Sequence, residues 1–164
     1  MHYSLEPIGY IQSPFKQKFA IPRQPGLVTQ AKARLTLVAP YNSREALRGI
    51  EDFSHLWLTF IFHENSEKGW SNLVRPPRLG GNKKIGVFAS RSPFRPNGLG
   101  ISRVVLREVD ISNSQARLKI SCPDIVDGTP IYDIKPYIHY ADANEKAICG
   151  FAQGVPENKL RVEF

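Results

Sequence analysis

Two arginines four residues apart, Arg91 and Arg95, stand in Gly86-Val87-Phe88-Ala89-Ser90-Arg91-Ser92-Pro93-Phe94-Arg95-Pro96-Asn97. Pro93 and Pro96 stiffen this stretch, and the directions of Arg95 and Asn97, on either side of Pro96, are restricted. A loop of this kind holds planar guanidinium donors in a fixed arrangement, as recognition of a carboxylate or a phosphate requires. A plain structural turn with solvated arginines fits the pattern equally well. A second stretch, from Asp124 to Tyr137, carries the carboxylates Asp124, Asp127 and Asp133 among Gly128, Pro130 and Pro136. A positioned carboxylate can accept a proton from a reacting nitrogen. An Asp-Gly step is also an ordinary turn, and these aspartates could do no more than fix their loop. The third stretch, Gln12-Ser13-Pro14-Phe15, says little alone.

Several common sources of chemistry are missing. Cys122 and Cys149 form no C-x-x-C pair, and His2, His55, His63 and His139 are scattered, so no metal-ligand spacing is present and no metal is expected. Neither a dinucleotide-binding glycine motif nor a phosphate-binding P-loop occurs. No G-x-S-x-G occurs either, and no acid-Pro-Pro-aromatic tetrapeptide. A Rossmann-type methyltransferase and a P-loop enzyme are therefore not expected.

The charge has a direction. The net charge is +7. Pro7 to Arg44 carries six basic residues and no acid, and Lys68 to Arg107 carries nine and no acid, whereas from Glu108 onward nine acids face six bases. One-signed surfaces concentrate anionic partners, nucleic acid foremost. A solvated face is the alternative for any charge run. Two acid-free stretches rich in Arg, Gly, Pro and Asn favour polyanion binding. No apolar run reaches the ~20 residues that span a bilayer, and Met1 to Tyr10 lacks the basic start of a secretory signal. With two cysteines read as reduced, a cytoplasmic protein with no membrane partner is expected.

These residues need a scaffold. Extended segments are predicted at Tyr3–Ile11, Ala33–Ala39, Leu56–Phe62, Lys84–Ala89, Ile101–Val109, Ala116–Ser121 and Ile134–Ile138. Leu56–Phe62 reads as a strand buried on both faces, and Asp110 to Gln115 as a hairpin connection. One short helix is predicted from Arg44 to Gly49, capped by Asn42-Ser43. The class is mainly β: a single small β-barrel, closed or nearly so, with long basic loops and little helix. Residues 1–141 read as the barrel domain and 142–164 as a weakly patterned tail. The two longest loops are also the two most basic, and loops of such length tend to be functional.

Five blocks in order now carry a family resemblance. The Gly86–Asn97 run, Arg75-Pro76-Pro77-Arg78-Leu79-Gly80-Gly81, Asp127-Gly128-Thr129-Pro130 with Asp133-Ile134-Lys135-Pro136-Tyr137, Glu51-Asp52-Phe53-Ser54-His55-Leu56-Trp57, and Ile11-Gln12-Ser13-Pro14-Phe15 resemble the signature of the TrmO family, also called TsaA-like or YaeB-like. The likeness extends from about Ile8 to Tyr137. It implies an S-adenosylmethionine-dependent methyltransferase on a β-barrel. It also implies a homodimer with the cofactor near the subunit interface. The implied substrate is N6-threonylcarbamoyladenosine beside the tRNA anticodon, at position 37, methylated at N6. By resemblance, Ser13, Pro14, Phe15, Ser54, His55 and Arg91 would line one side of the cofactor pocket and Asp127, Gly128, Thr129 and Pro130 the other. Asp127 and Asp133 are the candidates for handling the N6 proton, with Asp124 behind them. Arg95 and Asn97 would meet the threonylcarbamoyl carboxylate, and Lys16, Lys18, Arg75, Arg78, Lys83 and Lys84 the tRNA phosphates. Members of this kind continue into a small C-terminal domain, so a chain ending at Phe164 is expected to be truncated or a short member. The rival reading is a non-catalytic RNA-binding module or cofactor-sensing regulator on the same barrel.

Overall fold

Strands of alternating burial build the molecule. In the computed structural model, which describes residues 1–156, eight strands run β1 (Gly9–Gln12), β2 (Lys32–Leu37), β3 (His55–Ile61), β4 (Leu73–Val74), β5 (Ile85–Gly86), β6 (Leu99–Ser112), β7 (Gln115–Ser121) and β8 (Pro130–Pro136). Among the described residues, helix is confined to short 3₁₀ turns and one four-residue turn, α1 (His139–Asp142). No described helix is long and apolar enough to cross a membrane.

Six strands close into a barrel in the order β1-β2-β7-β6-β3-β8, while β4 and β5 pair as a small separate ribbon. Every barrel pairing is antiparallel. Inward positions alternate with outward ones, as the pleat requires. Ile11, Leu35, Leu56, Leu58, Val104, Leu118, Ile120 and Ile131 fill the interior. Closure needs tight spots: a Cβ on Gly9 would lie 2.5 Å from the Thr36 carbonyl oxygen, and one on Gly100 would lie 2.5 Å from the Phe60 ring. The long strand β6 is a shared spine. Its first half pairs with β3, Leu99 opposite Ile61, and its second half with β7, Ser112 opposite Gln115.

The barrel, the hairpin and most strands match the expectations, with five corrections. Of Lys84–Ala89 only Ile85–Gly86 is strand, and Val87–Ala89 closes into a 3₁₀ turn ahead of the proline-stiffened loop. The last strand runs Pro130–Pro136 rather than Ile134–Ile138, because its pairing with β1 begins at Pro130. β1 begins at Gly9, because Tyr3 and Leu5 are exposed and make no strand. β3 is buried on one face only: Leu56, Leu58 and Phe60 point inward, while Trp57, Thr59 and Ile61 are half-covered. An antiparallel barrel has one solvated face, so the apolar run reflects Trp57 and Ile61 on the outer wall rather than a second core. Arg44 to Gly49 forms turns rather than a regular helix, followed by a 3₁₀ turn at Ile50–Asp52. Its end signals are nonetheless in use: the Ala46 N–H donates to Ser43 Oγ at 3.1 Å, and Gly49 adopts φ 88°. Only Leu47 of that segment reaches the core, too little apolar surface to hold a longer helix.

The tail begins beyond β8. Asp142 accepts hydrogen bonds from the Trp57 indole at 2.9 Å and from the Ile138 N–H at 2.8 Å, which ties α1 to the outer wall of β3. The last part of the tail assigned to 142–164 lies outside the described residues.

Candidate functional site

Antiparallel topology decides where the loops go. Strands β1, β3 and β7 end, and β2, β6 and β8 begin, at the same mouth of the barrel. The connections 13–31, 62–98 and 122–129 therefore all open there, and they carry ten basic residues against four acidic ones. The opposite mouth receives the 38–54 connection, the turn at Asn113–Ser114 and the segment after β8.

At the basic mouth two of the expected blocks meet. Asp127 Oδ1 accepts the Ser13 N–H at 2.8 Å, and Oδ2 pairs with Lys16 Nζ at 2.8 Å. The Asp127 N–H donates to the Phe15 carbonyl at 2.8 Å, Gly128 N–H to the Ile11 carbonyl at 2.8 Å, and Ile11 N–H to the Thr129 carbonyl at 3.0 Å. The Ser13 hydroxyl accepts the Phe15 N–H at 3.0 Å. This is a backbone lattice with one carboxylate at its rim. The Lys16 ammonium, then the Ser13 N–H, hold the Asp127 carboxyl below its ordinary range, so it is ionised at neutral pH. Thr129 is buried, donates to the Val126 carbonyl at 2.6 Å, and lies 3.3 Å from His63 Nδ1.

Beside it, the β7–β8 loop plugs the barrel. Ile125 and Val126 are buried, and the Asp124 carboxylate accepts the hydroxyl of Ser102, an inward-facing residue of β6. Burial pushes the Asp124 carboxyl up to about 6, against the opposing pull of Ser102 and of the nearby Arg91 charge. Arg91 also donates through Nη1 to Gln24 Oε1 at 2.5 Å. One guanidinium thus joins the 13–31 loop to the 62–98 loop and stands beside the 122–129 loop.

The Gly86–Asn97 stretch is braced from within. Ser90 Oγ donates to the Val87 carbonyl at 2.8 Å and accepts the Ser92 N–H at 3.2 Å, and Ser92 Oγ accepts the Phe94 N–H at 3.2 Å. Arg95 Nη1 donates to the Ser90 carbonyl at 2.8 Å, so Arg95 is a brace of its own loop. Asn97 takes φ 65°, a left-handed conformation that asparagine tolerates well. A cleft of about 260 Å³ opens beside this loop, lined among others by Phe62, Asn65, Trp70, Arg95 and Asn97.

Other residues lie apart within a single chain. Ser54 and His55 sit where β3 begins, at the opposite mouth, with Ser54 Oγ 2.7 Å from His55 Nδ1. Burial, then the Arg103 and Arg107 charges, lower the His55 pKa, which keeps the ring neutral. Asp133 faces outward on β8, opposite Thr59, and pairs with Lys135. Pro130 opens β8 opposite Tyr10, and Pro14 is exposed at the mouth. Lys18 approaches Lys68, whose contact lowers its pKa. Arg78 donates to the Gly154 carbonyl and so anchors the tail to the mouth loops. Arg75, Lys83 and Lys84 are exposed and make no ion pair among the described residues.

Sequence reading missed Ser102, Gln24, His63, Asn65 and Trp70. Ser102 alone had a usable signal: a polar residue at an inward position of an alternating strand. The others are ordinary loop residues until the fold brings them together. No described group of three His, Cys, Asp or Glu side chains could hold a metal.

The donor set at this mouth suits S-adenosylmethionine. An ionised carboxylate complements a sulfonium, Phe15 offers an aromatic face, and Arg91 can meet a carboxylate end.

Comparison with known proteins agrees. The family model for the tRNA-methyltransferase O N-terminal domain matches residues 10–143. A tRNA (adenine(37)-N6)-methyltransferase of Escherichia coli is 52% identical over 99% of this chain and 69% of its own length. A putative S-adenosylmethionine-dependent methyltransferase of Pseudomonas aeruginosa is 50% identical over 95% of this chain and 66% of its own. The crystal structure of TrmO from Pseudomonas aeruginosa superposes with a TM-score of 0.79 at 43% identity, covering 96% of this chain and 66% of that one. The chain thus spans about two thirds of the length of these relatives. On its barrel, its mouth loops and this likeness, the chain belongs to the tRNA-methyltransferase O family.

Proposed function

We propose that this chain transfers a methyl group from S-adenosylmethionine to N6 of N6-threonylcarbamoyladenosine at position 37 of tRNA, in the cytoplasm, and acts as a homodimer. The observation that carries the reading is the gathering of the Ser13–Phe15 and Asp127–Thr129 segments with Arg91 at one strongly basic mouth. The names of the relatives support the donor and the tRNA substrate.

S-adenosylmethionine, when bound, supplies an electrophilic methyl on a cationic sulfur. The chain's own residues do the rest. The lattice between Ile11–Phe15 and Asp127–Thr129 fixes one wall of the pocket through backbone bonds, which limits reorganisation as the reactants align. Arg91, steadied by Gln24, grips a carboxylate. The N6 amine is a weak nucleophile because its lone pair is delocalised, and a carboxylate accepting its N–H raises its electron density. Asp127, ionised at the rim, is the residue assigned this part. Lys16, Lys18, Arg75, Lys83 and Lys84 receive phosphates, and Arg95 and Asn97 face the threonylcarbamoyl end.

Ser54, His55 and Asp133 lie away from this mouth in one chain, and a second copy bringing its β3–β8 wall to the mouth would complete the set. That division supports a two-chain pocket.

Mass spectrometry of tRNA nucleosides after incubation with S-adenosylmethionine tests the reading. The threonylcarbamoyl-adenosine should gain one methyl mass. Asp127→Ala should lower the rate by roughly a hundredfold or more, the usual range for removing a proton acceptor. An unmodified nucleoside with the wild-type chain, or full turnover by the variant, rejects enzyme or site respectively.

A further inference from the structure

The cleft beside the Gly86–Asn97 loop shares Arg95 and Asn97 with the proposed site, but its Trp70 and Asn65 have none of the roles above. It lies between the turn that follows β3 and the segment Pro93–Gly98. Trp70 stands on its rim with 55% of its surface exposed, an unusual state for the largest apolar side chain. Its indole takes part in no ring stacking and no hydrogen bond among the described residues. Asn65 lines the floor at 8% exposure. Its amide makes no hydrogen bond within the described residues, yet no fully buried side-chain N or O there lacks a partner, so the amide keeps some solvent access in a residue that lines the cleft. Asn97 offers a second amide and Arg95 a positive charge.

A flat aromatic rim, amides that both donate and accept, and a basic surround match one class of ligand. Unpaired nucleobases stack on aromatic side chains and are read along their edges by such amides. The occupant is not the methylated base. Ser13, Phe15, Asp127 and Thr129 do not line the cleft, whereas transfer requires donor and acceptor about 3 Å apart. His63, the residue 3.3 Å from Thr129, begins the turn that carries Asn65, so cleft and candidate pocket are neighbours joined by one short segment.

We propose that this cleft seats an unpaired base flanking the methylated adenosine, stacked on Trp70 and read by Asn65. The inference rests on the reading of the protein as a tRNA methyltransferase and adds a subsite to it. By holding the neighbouring nucleotide, the cleft would splay the loop and present the adenosine to the adjoining pocket.

The test is a binding cycle, independent of turnover. Fluorescence anisotropy of the full chain is measured with an anticodon stem-loop RNA, intact or abasic at either position flanking the adenosine. Trp70→Ala should weaken binding of the intact loop about tenfold to a hundredfold, as expected for loss of one stacked base. Trp70→Phe should restore most of it. One of the two abasic loops should bind the wild-type chain as weakly as Trp70→Ala binds the intact loop, and combining the two changes should add little. Unchanged affinity in Trp70→Ala, multiplying effects, or no binding of the intact loop by the wild-type chain would each overturn the proposal. Thermal unfolding of each variant confirms that the exposed site was altered without loss of fold. A chain that shows the coupling but adds no methyl keeps the cleft and loses the enzyme. A chain that methylates without coupling does the reverse.

Discussion

Asp124 and Asp127 are three positions apart and shifted in opposite directions. Asp127 sits at the rim, where an ammonium and a backbone N–H stabilise its charge. Asp124 sits in the plug, where burial opposes its charge more than Ser102 and Arg91 support it. The folded-state value of Asp124, about 6, lies above the unfolded value of 3.8, so between those values the folded chain holds the proton that the unfolded chain has released. Stability contributed by this group is present at low pH and lost as pH rises through about 6, a loss on the order of 3 kcal/mol. Asp124→Asn keeps an acceptor for Ser102 and removes the titration. Urea unfolding of both proteins from pH 4 to pH 7 should show the variant gaining on wild type across that window. Parallel curves would mean that Asp124 stays ionised throughout.

Elements fix where these residues stand, and their limits are steric. Gly9→Ala would press a methyl to 2.5 Å from the Thr36 carbonyl oxygen, a backbone atom that cannot swing away. Overpacking of this kind costs about 1–3 kcal/mol, and a lowered thermal midpoint with the barrel retained is the outcome to measure. The same strands show what was legible in the sequence. Alternation at Arg34–Leu37 and Ala116–Ser121 was readable because each strand has one wet face. The Asn113–Ser114 turn, with φ 51° and 59°, was readable as a hairpin link from its flanking strands. Trp57 and Ile61 on the outer face of β3 hid its alternation, because Trp57 bonds to the tail rather than packing into the core. At the site, Asp127, Ser13 and Arg91 were picked out by their blocks. Their hydrogen bonds span as many as 114 residues of chain, which no local pattern encodes. Trp70 and Asn65 had no signal, since a tryptophan in a polar loop gains its meaning only from the cleft beneath it.

The whole molecule is polarised. Ten of its basic residues crowd the loops of one mouth. Each phosphate contacted at that mouth releases counterions, so RNA binding should fall steeply with salt. Five contacts to a single-stranded loop would give a log–log slope of about −3.5. A flat dependence would place the positive charge outside the interface. The far mouth has a practical value in the same light. There β6 and β7 are joined by just Asn113 and Ser114, on the side of the barrel away from the basic loops. A dye or a short tag grafted at this link would ride with the rigid wall while leaving the gripping surface of each chain uncovered, which makes it a natural handle for watching RNA arrive and depart.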